Sequence, residues 1–385
     1  MSGSSFDYLG GNYYISAASL LLEYRNFIDS HPVLFKINVA HPCWPQLVLY
    51  CKELEQNVDI MRTITRIHTS SQTEFERALF CSWGSLLVAR SLRLDISHQR
   101  ALFYAGLLQD LGKHALDEQV EEVVSKLNVS FLANAHSDVE HRHALLSSTY
   151  LEGILTDVDS INDLILNHHA KDDGTGYPNH ISESQLNIDN QILIVANEIS
   201  DRLDQFGGHN QIIQILPSLK LGRLLYFAKA QNAWLSLLAP HTAQNQLGDE
   251  YISSDELKSK GLKLEKLLSC LLCVSSDLLP YDFNLTVHGL RSMIRKLAGL
   301  FNDSGIFETS IFESAKTIPE EVMAELHFLF KGLPEILLRC MNFVDDILNS
   351  KKYDSTINLG LLNECRILLH KNIKTLEGNR RSIFR

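Results

Sequence analysis

The residues best suited to chemistry lie between Asn167 and Pro178, in the order Asn-His-His-Ala-Lys-Asp-Asp-Gly-Thr-Gly-Tyr-Pro. Two imidazoles, His168 and His169, close the apolar run Leu164-Ile165-Leu166. Two carboxylates and a glycine-rich turn follow. The run before the pair reads as helix, and the Asp-Gly and Pro signals after it read as a tight loop. Neighbouring residues within a helix point about 100° apart, so two adjacent rings meet in one pocket only near a helix end. Imidazole and carboxylate donors without a thiolate form a moderately hard set. Such a set suits Fe, Mn, Mg or Zn and leaves positions open for water and phosphate oxygens. Taken alone, a His-His pair also reads as a surface helix end, and the loop as a turn that merely orders its domain.

The spacing of the whole stretch favours the metal reading. His168-His169 followed by Asp173-Gly174-Thr175-Gly176-Tyr177-Pro178 resembles the signature of the HD-GYP family of metal-dependent phosphohydrolases, whose usual substrate is cyclic di-GMP. The resemblance spans roughly residues 75–205. It implies metal ligands at Asp110, His143, His168 and His169, and a phosphate contact from Lys113. It also implies substrate binding along Asp173, Gly174, Gly176, Tyr177 and Pro178, and docking of partner proteins such as the GGDEF type.

The chain departs from that pattern at four positions. Ala170 stands where the family has a glutamate, and Gln109 where it has the histidine of the His-Asp pair. An earlier family histidine falls near Arg77, and a final aspartate falls on Asn197. Glutamine is a poor metal ligand, and asparagine keeps the shape of aspartate without its charge. The retained positions resemble one metal locus and the lost ones largely another. The resemblance therefore implies at most one divalent ion.

Composition sets the wider frame. With 45% hydrophobic and 21% charged residues, the chain reads as an ordinary globular protein long enough for two or three domains. A formal charge of -11 argues against a nucleic acid polymer as bulk partner. Seven scattered cysteines suggest a reducing, cytoplasmic setting without a disulfide framework. No apolar run is long enough to span a membrane. Cys270 and Cys273 have CxxC spacing inside an apolar helical run, which reads as core. His288 faintly resembles a histidine-kinase phospho-acceptor, and reads more simply as a surface residue of a bundle helix.

Periodicity predicts an all-α chain. Helices are expected over Tyr13 to Ile28, Gln46 to Ile67, Thr73 to Arg93, Ser97 to Leu111 with Ser97 as N-cap, Glu140 to Leu155, Asp157 to His169 and Ile188 to Leu203. Irregular pieces are expected near residues 30–45. Gly207-Gly208 marks a boundary. Further helices are expected over Gln211 to Leu238, Ser254 to Leu279, Leu285 to Phe301, Pro319 to Lys331, Pro334 to Leu348 and Leu361 to Leu376, with Gly332 and Gly360 as stops. Three regions follow: a mostly helical 1–70, an HD-GYP-like domain over 71–206, and a helical region over 210–385 suited to homodimerisation or partner docking. Asp172 reads as a solvated loop acid.

The leading functional expectation is a signalling module that binds a cyclic dinucleotide or a partner protein with little or no hydrolysis. An active phosphodiesterase with a reduced metal site is the alternative, and a purely structural interaction protein the second.

Overall fold

The computed structural model describes residues 14–114, 139–152, 159–172, 176–177, 181, 183–205, 208–216, 219–221, 227–241, 254–304, 320–350 and 357–377. Every regular element among them is helical, and no strand is present among the described residues. Contacts divide the chain into two units. One runs up to Lys171 and takes in Gly176–Ile212. The other joins Asp172 to the chain from Ile213 onward.

The first unit opens with α1 (Ala17–Asp29), α2 (Pro32–Ala40), α3 (Trp44–Glu55) and α4 (Val58–Ser70). Helix α2 occupies the segment expected to be irregular, because Pro32 sits in its first turn, where a missing N–H costs nothing. The single helix expected over Gln46 to Ile67 is two. Asn57 breaks it and caps α4, its side chain accepting from the Ile60 N–H at 3.2 Å.

Helix α5 (Gln72–Ser91) and helix α6 (Ile96–Leu108) form the centre of this unit. Every residue of α5 from Ala78 to Ala89 is buried, so burial extends around the whole helix. Tyr24 and the small residue Ser82 share a buried hydroxyl–hydroxyl bond of 2.6 Å. The cap of α6 is Asp95 rather than Ser97. Its carboxylate accepts from the N–H groups of Ser97 and His98 at 3.0 and 3.1 Å. A carboxylate at this end also faces the positive pole of the helix dipole.

Helices α7 (Val139–Glu152), α8 (Asp159–Asn167) and α9 (Ile188–Gln205) complete the unit. Asn187 and Asn190 cap α9 reciprocally, each side-chain oxygen accepting from the other's backbone N–H at 2.9 and 3.2 Å. After α9 the chain turns at Gly208, whose φ of 107° only glycine adopts without strain.

The second unit contains α10 (Ala228–Leu238), α11 (Ser254–Asp277), α12 (Leu285–Ser304), α13 (Glu320–Asn349) and α14 (Leu359–Glu377). The stretch expected to be one helix from Gln211 begins instead as a 3-10 turn, His209–Ile215, and α10 starts only at Ala228. Conversely, the break expected at Gly332 is absent, and α13 runs through Pro334. Its face of Leu333, Ile336, Leu337, Cys340, Val344 and Ile347 is buried, and that packing outweighs the lost hydrogen bond at proline.

Asp172 is not a solvated acid. It is 8% exposed and groups with the second unit, where Arg339 donates to it at 2.9 Å and Lys296 pairs with its other oxygen. Burial pushes its carboxyl up. The charges of Arg339 and Lys296 outweigh burial and hold it below the usual carboxylate range. A depressed folded-state pKa adds stability above the unfolded value, near 4, and that stability is lost as pH falls. Asp172→Asn should therefore cost about 2 kcal/mol at neutral pH. The gap to the wild type should narrow as pH falls below about 4 and close below the depressed folded-state pKa. Urea unfolding at pH 7 and pH 3.5 measures both, and an equal gap at the two pH values would contradict the assignment.

Candidate metal centre

Four elements of the first unit converge on Asp110. This residue follows the end of α6, in a turn that leads into a 3-10 segment, Leu111–His114. Ser147 of α7 pins the turn, donating to the Gln109 carbonyl at 2.7 Å and accepting from the Gly112 N–H at 2.8 Å. A Cβ on Gly112 would sit 2.3 Å from the His143 carbonyl, so only glycine lets the turn lie this close to α7. The Asp110 carboxylate is thereby placed beside the His143 ring.

The histidine pair arrives from the end of α8. The helix stops at Asn167, and the Ala170 N–H closes the turn on the Asn167 carbonyl at 2.8 Å. His168 and His169 occupy that turn, so both reach one pocket. His168 Nδ1 donates to the Ile165 carbonyl at 2.6 Å, which leaves Nε2 with its lone pair free to coordinate. The Tyr177 ring stacks on His169, with centroids 4.6 Å apart and planes inclined by 20°.

Donor atoms of Asp110, His143, His168 and His169 all lie within 4.8 Å of one another. His143 Nε2 is 3.0 Å from His168 Nε2, 3.1 Å from His169 Nε2 and 3.1 Å from Asp110 Oδ1. Yet buried Asp110 Oδ1 makes no aligned hydrogen bond. Three ring nitrogens and a carboxylate oxygen cannot satisfy one another with one or two protons. A cation among them satisfies all four, and the residues present fit a divalent metal.

Electrostatics agree with that fit. Burial drives the pKa of His168 down to about 3, and burial together with the neighbouring rings drives that of His169 down further, so both rings are neutral at physiological pH, the form a metal would require. For Asp110, burial alone would raise the pKa. Contact with His143, Arg77 and Lys113 outweighs it and holds the carboxyl well below its ordinary range. Lys113 Nζ lies 3.1 Å from Asp110 Oδ1 and supplies a cation beside the pocket.

The other face of Asp110 differs. Oδ2 lies 3.3 Å from Arg77 Nε. The Arg77 guanidinium also donates to Asp201 and to Asn197. Gln109 Nε2 donates to the same Asn197 oxygen at 3.0 Å. All three positions that depart from the family pattern here, Arg77, Gln109 and Asn197, thus belong to one buried network. Ala170 is buried, with only a methyl group to offer. Asp201 and Ser147 were not singled out from the sequence. Each sits four residues after a residue that was, Asn197 and His143, and helical spacing was the available signal.

Asp173, Gly174 and Pro178 lie outside the described residues. Gly176 is described and packs against the His169 carbonyl, where a Cβ would come within 2.4 Å. Outside this centre, His288 is half-exposed beside Asp282, at 3.3 Å. Cys270 is half-buried and Cys273 exposed, so the CxxC pair is not core as expected. None of the seven cysteines forms a disulfide.

Residues 67–214 match the model of the HD domain family, and they take in the helices that carry the buried His-Asp centre. Among curated proteins the chain is similar to a 3'3'-cGAMP-specific phosphodiesterase of Vibrio cholerae serotype O1. Identity is 26% over 111 residues, covering 29% of this chain and 24% of that protein. It is also similar to a cyclic di-GMP phosphodiesterase of Pseudomonas aeruginosa, at 25% over 126 residues, covering 33% of this chain and 29% of the relative. The matches therefore span under a third of either relative's length. No solved structure matches. No described helix is long and apolar enough to cross a membrane.

Proposed function

We propose that this chain is a cytoplasmic signalling module. In this reading its HD-GYP-like domain, over 71–206, holds at most one divalent ion at Asp110, His143, His168 and His169. It binds a cyclic dinucleotide, or a signalling protein of the GGDEF type, with little or no hydrolysis. One observation carries the reading: Asp110 Oδ1 lies 3.1 and 3.8 Å from His143 and His168, in a cluster that His169 completes, while Oδ2 lies 3.3 Å from the Arg77 guanidinium. A carboxylate shared in this way serves one metal. The bound ion would supply Lewis acidity toward a phosphate oxygen. Lys113 adds a positive charge beside it, and Tyr177 braces the His169 ring. The similarity to cyclic dinucleotide phosphodiesterases supports the ligand class.

Elemental analysis of purified protein tests the metal. The expected result is no more than one equivalent of Fe, Mn, Mg or Zn per chain, and none after His168→Ala with His169→Ala. Two or more equivalents in the unmodified protein would sink the reading. A one-metal phosphodiesterase is the second reading, favoured by the complete four-donor pocket with a lysine at its side.

The region 210–385 is proposed to form a homodimer. Leu272, Leu279, Phe283 and Leu285 are exposed in the second unit, Phe283 at 86%, and apolar side chains of this kind suit a helical interface. Leu279→Asp with Phe283→Asp should shift light scattering from dimer to monomer. A monomeric wild type, or a variant that dimerises as well, would end this proposal.

A further inference from the structure

The chain after the histidine pair is fastened at two places. First, it doubles back on His169. The Tyr177 N–H donates to the His169 carbonyl at 3.3 Å, and the Tyr177 ring stacks on the His169 ring. A Cβ on Gly176 would lie 2.4 Å from that carbonyl and from the Lys171 nitrogen, so this neck closes only on glycine. Second, Asp172 stands three positions after His169, inside the neck. It groups with the second unit, while Lys171 before it and Gly176 after it group with the first. Its side chain is 2% exposed and carries a cation on each oxygen. Arg339 of α13 donates to Oδ1 at 2.9 Å, and Lys296 of α12 donates to Oδ2. Release would leave a desolvated carboxylate without its partners, which is costly. Three residues of chain reach about 11 Å at most, so what holds Asp172 also restrains the backbone of His169.

We propose that Asp172, Lys296 and Arg339 form a clamp that orders the histidine pocket, and that through it the second unit sets how tightly the pocket holds a divalent ion. The inference deepens the one-metal reading and rests on it. Metal ligands bind tightly when their rings are already held in place, and changing a residue that orients a ligand typically costs about 10–100-fold in affinity. His168 has its support in the Ile165 carbonyl. His169 has the Tyr177 ring and the closed neck, and both keep their places only while the chain between them does. Lys296 and Arg339 offer the ion no donor atom. They are positioning residues, acting on His169 through Asp172 and the short run of chain that joins the two. Coupling of this kind is reciprocal, so an ion in the pocket steadies the clamp in turn.

Full-length wild type, Asp172→Asn, Lys296→Met and Arg339→Met are titrated with Zn2+ and Mn2+ by calorimetry. The control is Arg366→Met, which breaks the Arg366–Asp345 pair elsewhere in the second unit. Each clamp variant is expected to bind the ion about 10-fold more weakly or worse, and Arg366→Met as tightly as wild type. Arg339→Lys keeps the charge, and should fold and bind with intermediate affinity if Arg339→Met does not fold. Hydrogen exchange on the metal-free proteins gives a second readout. The Ala170 and Tyr177 amides, bonded to the Asn167 and His169 carbonyls, should exchange faster in the clamp variants than in Arg366→Met at matched stability. Folded clamp variants that bind the ion as tightly as wild type overturn the proposal, and so does Arg339→Lys with wild-type affinity and exchange. A wild type that binds no ion sinks the one-metal reading. Faster exchange at Ala170 and Tyr177 would then still uphold the ordering of the pocket by the clamp, and unchanged exchange would overturn it.

Discussion

Full-length protein supplied with Mn2+ or Fe2+ is expected to bind cyclic di-GMP or 3'3'-cGAMP and to release no linear dinucleotide at a rate relevant to signalling. Phosphodiester cleavage needs an activated water in line with the leaving oxygen, and charge stabilisation on the phosphoryl oxygens. The histidine pocket has the donors for one Lewis acid, and Lys113 adds one positive charge. The adjoining position, where a second ion would share Asp110, is filled by Arg77 and its hydrogen-bonded partners. A guanidinium cannot bind a water and lower its pKa as a metal does. Losing one preorganised electrostatic element typically costs on the order of 100-fold in rate, and losing a whole ion costs at least that. Binding is less demanding, because the charge of Lys113 and the pocket beside it remain. Gln109→His with Asn197→Asp should not restore hydrolysis, since Arg77 would still be paired with Asp110 and Asp201. Chromatographic product analysis alongside calorimetric binding decides the matter. Robust hydrolysis by the unmodified protein, abolished by His168→Ala, would promote the enzyme reading instead.

Asp110→Ala is expected to produce the largest loss of stability at the centre, together with complete loss of metal binding. The carboxylate is 7% exposed and meets Arg77, Lys113 and His143. Removing one member of a buried charge pair costs about 3–5 kcal/mol, because the partner is left charged and unpaired. Arg77 retains Asp201, and Lys113 is near enough to the surface to turn toward water, so about 3 kcal/mol is expected. Asp110→Asn keeps the shape and should separate charge from packing, with most of the stability loss and all of the metal loss retained. Chemical denaturation of the metal-free and metal-loaded proteins measures both effects. A variant as stable as wild type, or one that still binds its ion, would show that Asp110 is not the hub described here.

Helix content was legible along most of the chain because burial repeats at helical spacing, as it does at Ala17, Leu20, Tyr24, Phe27 and Ile28 of α1. Boundaries differ from the expected ones where a local cue competed with another force. Asn57 interrupts an otherwise continuous apolar pattern with a cap, Asp95 takes the cap role from Ser97, and Pro334 is carried inside a helix by its buried neighbours. The all-round burial of α5 was also hidden, because a sequence shows which residues are apolar but not how many neighbours surround a helix.

At the centre, the sequence by itself determined the donor types. Paired histidines, one retained aspartate and the absence of a thiolate already pointed to a moderately hard metal site. Local spacing also indicated that both rings of the pair could share a pocket, since a helix end frees adjacent side chains from the 100° rule of about 3.6 residues per turn. Tertiary structure alone decided who faces whom. Arg77 meets Asp201 across 124 residues of sequence, Asp172 finds Lys296 and Arg339 at still longer or equal range, and Ser147 ties α7 to the Asp110 turn. Such pairings carry no periodic signature. They arise because a charge or amide removed from water must find a partner in the fold, wherever in the chain that partner lies.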